Sequence, residues 1–359
     1  MNDKRNQMQE TWPNGRTGRP LQTRWGEKPY YSLDYYLKET FGQKVYKLAL
    51  DGGMTCPSRD GTLGTGGCIF CSEGGSGDFA ESPPSGSGPG CGTPAAPGRV
   101  SPSLPEIEQR IARLDVCGQI ERAKARVSSK IKDGKYVAYF QSYTNTYGPL
   151  PYLTALFSQA VSHPDIAALS IGTRPDCLPK ETIALLKKLN QEKPVWVELG
   201  LQTIHEDSAR LIRRGYELPC FLDALRRLKE AGLTVVVHVI LGLPGETRED
   251  MLETVRFLGR LDNPSIDGIK LQLLHVLKGT ELCRLYEREP FHVMEPEEYF
   301  SLIADCIRLL PPHIVIHRIS GDGPKSLLKA PLWSGNKRFV LNSIAKTLRE
   351  TGAFQGEWA

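Results

Sequence analysis

The sequence predicts an α/β protein built as a partial, open (β/α)6 barrel. Three observations carry this. First, apolar strand-like runs alternate with amphipathic helical stretches. From the second run on, their starts lie about 28 to 40 residues apart, the spacing of βαβ units with right-handed crossovers. Second, the first run leads into LDGGMTCPSRDGTLGTGGCIFC. That segment lacks the G-x-G-x-x-G expected after the first strand of a dinucleotide-binding sheet. Third, Gly-rich and polar segments (GTRPD, ELGLQT, GLPGET, LLHVLKGT) follow several strands. A site assembled from many βα loops marks the C-terminal face of a barrel.

The elements follow in chain order. Residues 1–29 read as a flexible basic leader, and 30–290 as the barrel. Strands are predicted at Val45–Leu50, Tyr136–Gln141, Ile166–Ile171, Val195–Leu199, Thr234–Leu241 and Gly268–Leu274. Between them, Lys180–Leu189, Phe221–Glu230 and Arg248–Leu261 carry helical periodicity. Seven prolines, five glycines and five serines fill 17 of the 25 positions of 81–105, so this stretch reads as a disordered loop inside the barrel. Glu106–Ile131 reads as one or two amphipathic helices. A C-terminal extension, 291–359, adds a strand at Ile314–Ile319 and a helix at Lys337–Arg349.

The chain has 359 residues, 40% apolar and 24% charged, enough to bury a sizeable core. Net charge is +4, too small a bias to argue for or against nucleic acid. The most apolar stretch, Leu233–Leu243, is 11 residues long, and a membrane span needs about 18 to 20. The polar N-terminus has no apolar signal segment. Nine cysteines without a secretion signal point to a reducing, cytoplasmic setting in which thiols stay free for metals.

Cys56, Cys68 and Cys71 form C-x11-C-x2-C. Thiolates ligate zinc and iron–sulfur clusters. A structural zinc wants four protein ligands. Three leave one metal position open, which suits a cluster whose fourth iron binds something else. Gly61, Gly64, Gly66 and Gly67 let the loop wrap a bulky group. On spacing alone, a zinc loop completed by a distant His or Cys, or unliganded thiols, stay open as alternatives.

Longer segments narrow this. DGGMTCPSRDGTLGTGGCIFCSEGGSGDFA, YFQSYTNTYGP, IGTRPDCLP, VELGLQTIHE, HVILGLPGET, HRISGDGP and APLWSGNKRFVLNSI resemble radical S-adenosylmethionine (SAM) enzymes. The likeness is to the branch of the Elongator catalytic subunit, a tRNA wobble-uridine enzyme. Within it, the chain resembles a small bacterial subfamily that lacks the acetyltransferase domain and acts on carboxymethylaminomethyl-uridine. The resemblance runs from about Tyr35 to Gly356, and the 81–105 loop departs from it.

The resemblance implies the radical SAM fold, a 4Fe-4S cluster on Cys56, Cys68 and Cys71, and SAM on the open iron. Reductive cleavage of SAM then yields a deoxyadenosyl radical that abstracts a substrate hydrogen. It also implies a reductant such as flavodoxin or ferredoxin, and tRNA as substrate. Carried over by position, Phe70 lies near the adenine and Thr144 holds the SAM amino group. Thr173 or Arg174 faces the methionine moiety, Gln202 bonds the ribose, and Arg214 pairs with the SAM carboxylate. The backbone of Leu241–Pro244, with Leu241 and Gly242, lines the adenine. A surface ion pair is the alternative for either arginine, and a helix cap for Gln202.

Other residues are candidates by position. His238 lies within a strand and His275 ends one. Glu198 precedes GLQ, with a buried ion pair as the rival reading. Lys270 and Gln272 alternate on one face of the sixth strand. Arg318 and Asp322 lie in RISGDGP. Tyr143, Tyr147 and Trp333 are candidate base-stacking aromatics. The remaining cysteines show no second cluster motif. The stretch 121–135 holds six basic residues against two acidic, either a phosphate contact or a solvated helix face. The expected reaction removes the carboxymethyl group from wobble carboxymethylaminomethyl-uridine and leaves aminomethyl-uridine. The alternatives are a radical SAM enzyme acting on a small metabolite or peptide and, more remotely, a non-catalytic metal-stabilised RNA-binding protein.

Overall fold

The computed structural model describes residues 23–75, 77–81, 103–131, 134–321 and 323–359. Most of the expected leader and of the 81–105 loop, and all of Asp322, lie outside these residues. The N-terminal boundary moves, however. Trp25 is buried and stacks on Tyr31 at 5.9 Å, so the fold begins before residue 29.

The strands are β1 (Val45–Leu50), β2 (Lys135–Phe140), β3 (Ile166–Thr173), β4 (Val195–Gln202), β5 (Thr234–Leu241) and β6 (Gly268–Leu273). They pair in that order, all parallel, and β8 (Val315–Arg318) adds a seventh parallel strand beside β6. The result is a curled half-barrel. Its seventh strand comes from the C-terminal extension, so barrel and extension share one sheet. β7 (Val276–Leu277) and β9 (Leu328–Ala330) form a small antiparallel pair that the sequence did not suggest, being too short to show periodicity.

The helices are α1 (Leu33–Phe41), α2 (Leu104–Ala112), α3 (Val116–Val127), α4 (Leu150–Ser162), α5 (Lys180–Leu189), α6 (Glu206–Leu211), α7 (Leu218–Glu230), α8 (Arg248–Arg260), α9 (Glu281–Arg288), α10 (Pro296–Leu309) and α11 (Lys337–Thr351). The 106–131 stretch is thus two helices. Asp115 makes the break, its carboxylate capping α3 by accepting from Gly118 N at 2.9 Å. The main apolar core lies between the sheet and its outer helices, with Phe140, Leu156, Leu169, Leu199, Val237 and Leu271 buried there.

Two features close the molecule's lower end. α1 plugs the barrel bottom, where Leu37 packs with Val45, Val137, Ala168 and Trp196. The segment before α1 pairs with the outer edge of β8, Ile316 N donating to Tyr31 O at 2.7 Å. Gln355, fully buried, ties the chain ends together. Its amide accepts from Tyr31 N at 2.7 Å and donates to Pro311 O and Ile314 O at 2.7 and 2.8 Å. Among the described residues, no helix is long and apolar enough to cross a membrane.

Candidate active site

Alternation puts every second side chain of each strand in the lumen, and the lumen is layered. The apolar base just described lies lowest. One step up the strands comes a polar layer of Lys47, Tyr139, Ser170, Glu198, His238 and Lys270. One step higher, Gln141, Gly172, Gly200, Ile240 and Gln272 line an open cavity of about 160 Å³, whose floor includes Tyr139, Glu198, His238 and Lys270 of the polar layer and whose mouth carries the three cysteines.

Glu198 is the centre of the polar layer and has no exposed surface. Its Oε1 accepts from Lys47 Nζ and Ser170 Oγ, each at 2.6 Å. Its Oε2 accepts from His238 Nε2 at 2.7 Å and from Lys270 Nζ. A buried carboxylate is costly unless its lone pairs are filled, and here each oxygen has two donors. Burial opposes ionisation of Glu198, but Lys270 and Lys47 outweigh it and hold the carboxyl well below its usual value. Burial, and then Lys270, drop His238 to about 4, so its imidazole is neutral at neutral pH. A carboxylate only accepts, so the proton sits on Nε2. Lys270 also donates to Tyr139 Oη at 3.1 Å and lies 4.4 Å from that ring's centre. Burial lowers Lys270 to about 7 despite Glu198, with Lys47 and Arg318 pushing the same way.

The cysteine loop leaves the top of β1 and returns to it, Glu81 N donating to Ala49 O at 2.9 Å. Arg59 holds it together, donating to Cys71 O at 3.2 Å and Ser72 O at 2.6 Å while lying 5.4 Å over the Tyr143 ring. Gly67 (φ +72°) passes so close to Arg59 that a Cβ there would sit 2.7 Å from Nε. Gly75 (φ +59°) passes under Tyr143, and a Cβ would overlap the ring. Burial, together with Cys71 and Cys56, pushes the Cys68 thiol up to about 12. Three half-buried thiols lining one cavity fit a cationic cluster, which stabilises thiolates by ligating them. The nearby thiol of Cys177 is spoken for, donating to Asp176 Oδ1 at 3.7 Å.

The residues expected around SAM divide. Phe70, Thr144, Thr173, Arg174 and Gln202 all line the cavity. Gln202 sits at a register shift between β4 and β5 with φ +67°, and its buried Oε1 has no hydrogen-bond partner. A Cβ on Gly200 would lie 2.7 Å from Gln202 Nε2, so glycine there leaves room for the amide. A strained backbone presenting an orphaned acceptor to a cavity fits a hydroxyl-bearing ligand such as ribose.

Arg214 corrects the expectation. It lines the same cavity, yet all five of its N–H donors are committed: to Tyr216 O at 2.8 Å, Leu201 O at 3.1 Å, Thr203 O at 2.7 Å, and both oxygens of Glu206. It knits the loop after β4 rather than offering a free fork to a carboxylate. Arg174 is the better placed guanidinium. It is fixed by Asp176 at 2.9 and 2.7 Å and by Arg214 O at 2.8 Å. Burial opposes its charge, but Asp176 outweighs burial and raises its affinity for the proton, with Cys56 and Cys68 adding to it.

Leu241 and Gly242 also depart from expectation. Leu241 points into the helix-side core, and Gly242 N donates to the Met251 sulfur at 3.0 Å. The apolar cavity wall is Ile240, which packs with Ile69, Ile212 and Phe70. The lumen-facing series of β5 is His238 and Ile240, and the stretch Leu241–Pro244, whose backbone was expected along the adenine, is not part of the cavity lining.

His238, Lys270, Gln272, Glu198 and Arg318 all reach the cavity, whereas His275 does not. His275 packs against Gly321 and Gly323, where a Cβ on either would strike its ring. Trp333 is likewise elsewhere, donating to Met294 O at 3.0 Å among Tyr299 and Phe300. Tyr147 binds Thr62 Oγ1 at 2.9 Å outside the cavity, and Tyr143 alone of the three aromatics lines it. The basic stretch after residue 121 is largely spent on ion pairs. Arg122 and Arg126 hold Glu81 at 3.2 and 3.0 Å, and Lys124 holds Asp165 at 2.6 Å.

Sequence reasoning missed Lys47, Ser170, Tyr139 and Tyr216. For the first two the signal was present: one polar residue in register with the lumen on an otherwise apolar strand, the same sign that singled out Lys270.

Comparison with known proteins agrees with this geometry. Residues 63–258 match the Radical SAM superfamily, and residues 266–350 match the Radical SAM C-terminal domain. The chain is 41% identical over 332 residues to the uncharacterized protein YtqA of Bacillus subtilis, covering 92% of this chain and 93% of YtqA. It is 26% identical over 329 residues to Elongator complex protein 3 of Schizosaccharomyces pombe, covering 85% of this chain and 59% of that protein. The fold is similar to that of the archaeal Methanocaldococcus infernus Elp3, with TM-score 0.58 and 21% identity over 71% of this chain and 62% of that one. The chain therefore belongs to the radical SAM superfamily, whose enzymes use a 4Fe-4S cluster and S-adenosylmethionine.

Proposed function

We propose that this enzyme modifies the wobble uridine of tRNA, removing the carboxymethyl group of carboxymethylaminomethyl-uridine to leave aminomethyl-uridine. One observation carries the reading. The segments that resemble the Elongator-like branch end five different strands, yet residues from all five meet at one cavity: the polar Cys56, Thr144, Arg174 and Gln202 and, from β5, the apolar Ile240. The similarity to Elongator complex protein 3 over 85% of the chain supports the same branch.

When bound, the cluster and SAM would supply a two-electron oxidation of the carboxymethyl carbon, one hydrogen atom going to the deoxyadenosyl radical and one electron to the cluster, after which water hydrolyses the imine so that the fragment leaves as an oxo acid and the amine stays on the base. The chain's own residues bind, orient and exclude water. Cys56, Cys68 and Cys71 would hold the cluster. Arg174 and Thr173 face the methionine end of SAM, Gln202 the ribose, and Phe70 with Ile240 the adenine. The apolar base beneath the polar layer seals the lumen from water.

The test is anaerobic. The cluster-loaded enzyme is reduced and given SAM and tRNA that carries carboxymethylaminomethyl-uridine, and deoxyadenosine and nucleosides are assayed. Deoxyadenosine with aminomethyl-uridine in place of its precursor is the expected result. Deoxyadenosine without nucleoside change overturns the tRNA reading in favour of a small metabolite or peptide substrate.

A further inference from the structure

The floor of the cavity holds more positive charge than its one carboxylate balances. Glu198 is shared between two ammonium groups, Lys47 at 2.6 Å and Lys270. The two are not equivalent. Lys47 lies behind Glu198, 4.8 and 5.2 Å from the Tyr139 and Trp196 ring centres, and does not line the cavity. Lys270 does line it. Lys47 can satisfy Glu198 from below, which leaves the surplus charge on the cavity side. Lys270 donates to Glu198 and Tyr139, and its third N–H has no acceptor among the described residues. Gln272, one lumen step above Lys270, and Arg318, its register partner on β8, border the same floor.

We propose that Lys270, backed by the Lys47–Glu198 pair, receives a carboxylate of the substrate at the floor of the cavity. A buried cation that is over-supplied with like charge gains most from an anion that brings its own negative charge. The charged and titratable groups facing Lys270 bear on this: Lys47 from β1, Tyr139 from β2, Glu198 from β4, His238 from β5, and His317 and Arg318 from β8, with burial and Lys47 holding the His317 imidazole well below its usual range. Burial, with Lys47 and Arg318 adding to it, weakens the hold of Lys270 on its proton, to about 7. A bound carboxylate reverses that, so Lys270 takes a proton from solvent as the ligand enters.

The identity of the carboxylate, the carboxymethyl group of the wobble base, rests on the function proposed above; the site does not. Calorimetry on the cluster-loaded full chain with SAM compares carboxymethylaminomethyl-uridine with its carboxamide, in two buffers of different ionisation enthalpy. The acid is expected to bind about tenfold more tightly than the amide, about 1.4 kcal/mol, since a hydrogen bond between two charged groups is stronger than one to a neutral amide. At pH 8 its binding takes up a proton. Lys270→Met abolishes both the preference and the uptake, and Lys270→Arg keeps the preference without the uptake. Should Lys270→Met fold poorly, the paired Lys270→Gln, Glu198→Gln variant keeps the floor hydrogen-bonded and is expected to lose both.

Equal binding of acid and amide to the wild type, or a preference that survives in Lys270→Met or in the paired variant, overturns the site. If tRNA is converted while acid and amide bind equally, the function stands and the site falls. If neither nucleoside binds, the wobble-uridine reading falls, and N-ethylglycine against its amide becomes the probe. A preference for that acid that depends on Lys270 supports the site, and equal binding removes it.

Discussion

At the scale of single residues, two polar side chains in one cavity divide by their hydrogen bonds. Gln202 carries strain (φ +67°) and an unpaired buried oxygen, while Arg214 carries a full set of partners. The first is arranged for a ligand and the second for the fold. Gln202→Gly relieves the left-handed backbone, by about 1 kcal/mol, and removes the amide. Its expected signature is SAM affinity weakened roughly threefold to tenfold with an unchanged or higher melting temperature, read by calorimetry and thermal unfolding. Arg214→Met does the opposite. It strands the carbonyls of Leu201, Thr203 and Tyr216 and costs about 3–5 kcal/mol of stability, seen as a large drop in melting temperature. Both residues were legible as site candidates. Their separation was not, because the partners of Arg214 are mostly backbone carbonyls, which no residue-type pattern announces.

At the scale of elements, the cysteine loop depends on close approaches that only glycine permits. Gly75 passes under the Tyr143 ring with φ +59°, and Tyr143 is itself held by Arg59 and by the Glu73 carbonyl. Gly75→Ala therefore displaces the loop and with it Cys71, four residues before. The expected outcome is a sharp fall in iron bound per chain while barrel unfolding shifts little, because the loop lies outside the main core. Iron analysis beside thermal unfolding checks it, and full iron content would refute the assignment of the loop's geometry. The strands and several helices were legible from apolar periodicity, to within one to three residues. β7 and β9 were not, because two- and three-residue strands have no period to detect.

At the scale of the whole molecule, Glu198 links five strands of the sheet through Lys47, Ser170, His238 and Lys270. Its folded-state ionisation lies well below the unfolded 4.5. Such a carboxyl contributes stability that is complete above the unfolded value and is lost as pH falls through the folded one. The melting temperature should therefore decline as pH drops below about 4.5, and Glu198→Gln should flatten that decline. At neutral pH the same variant leaves two buried ammonium groups with a neutral partner, at a cost of about 3–5 kcal/mol. A melting temperature that Glu198→Gln leaves unchanged at pH 7 would show that the polar layer does not hold the barrel together.

What the sequence determined by itself was set by local spacing: the strand–helix alternation, the C-x11-C-x2-C loop after the first strand, and the segments that carry the family resemblance. Periodicity and motif spacing need no knowledge of which strands meet. What tertiary structure alone decided were relations across the barrel. Lys47 and Glu198 are 151 positions apart, and Lys270 lies a further 72 beyond, yet they share one carboxylate. Ile240 rather than Leu241 faces the cavity, and His275 and Trp333 face away from it, because a strand's register and curl decide which of two adjacent side chains enters the lumen. The closing strand β8 joined the barrel's own sheet for the same reason: an open parallel edge at β6 is satisfied by whichever strand the chain returns to it.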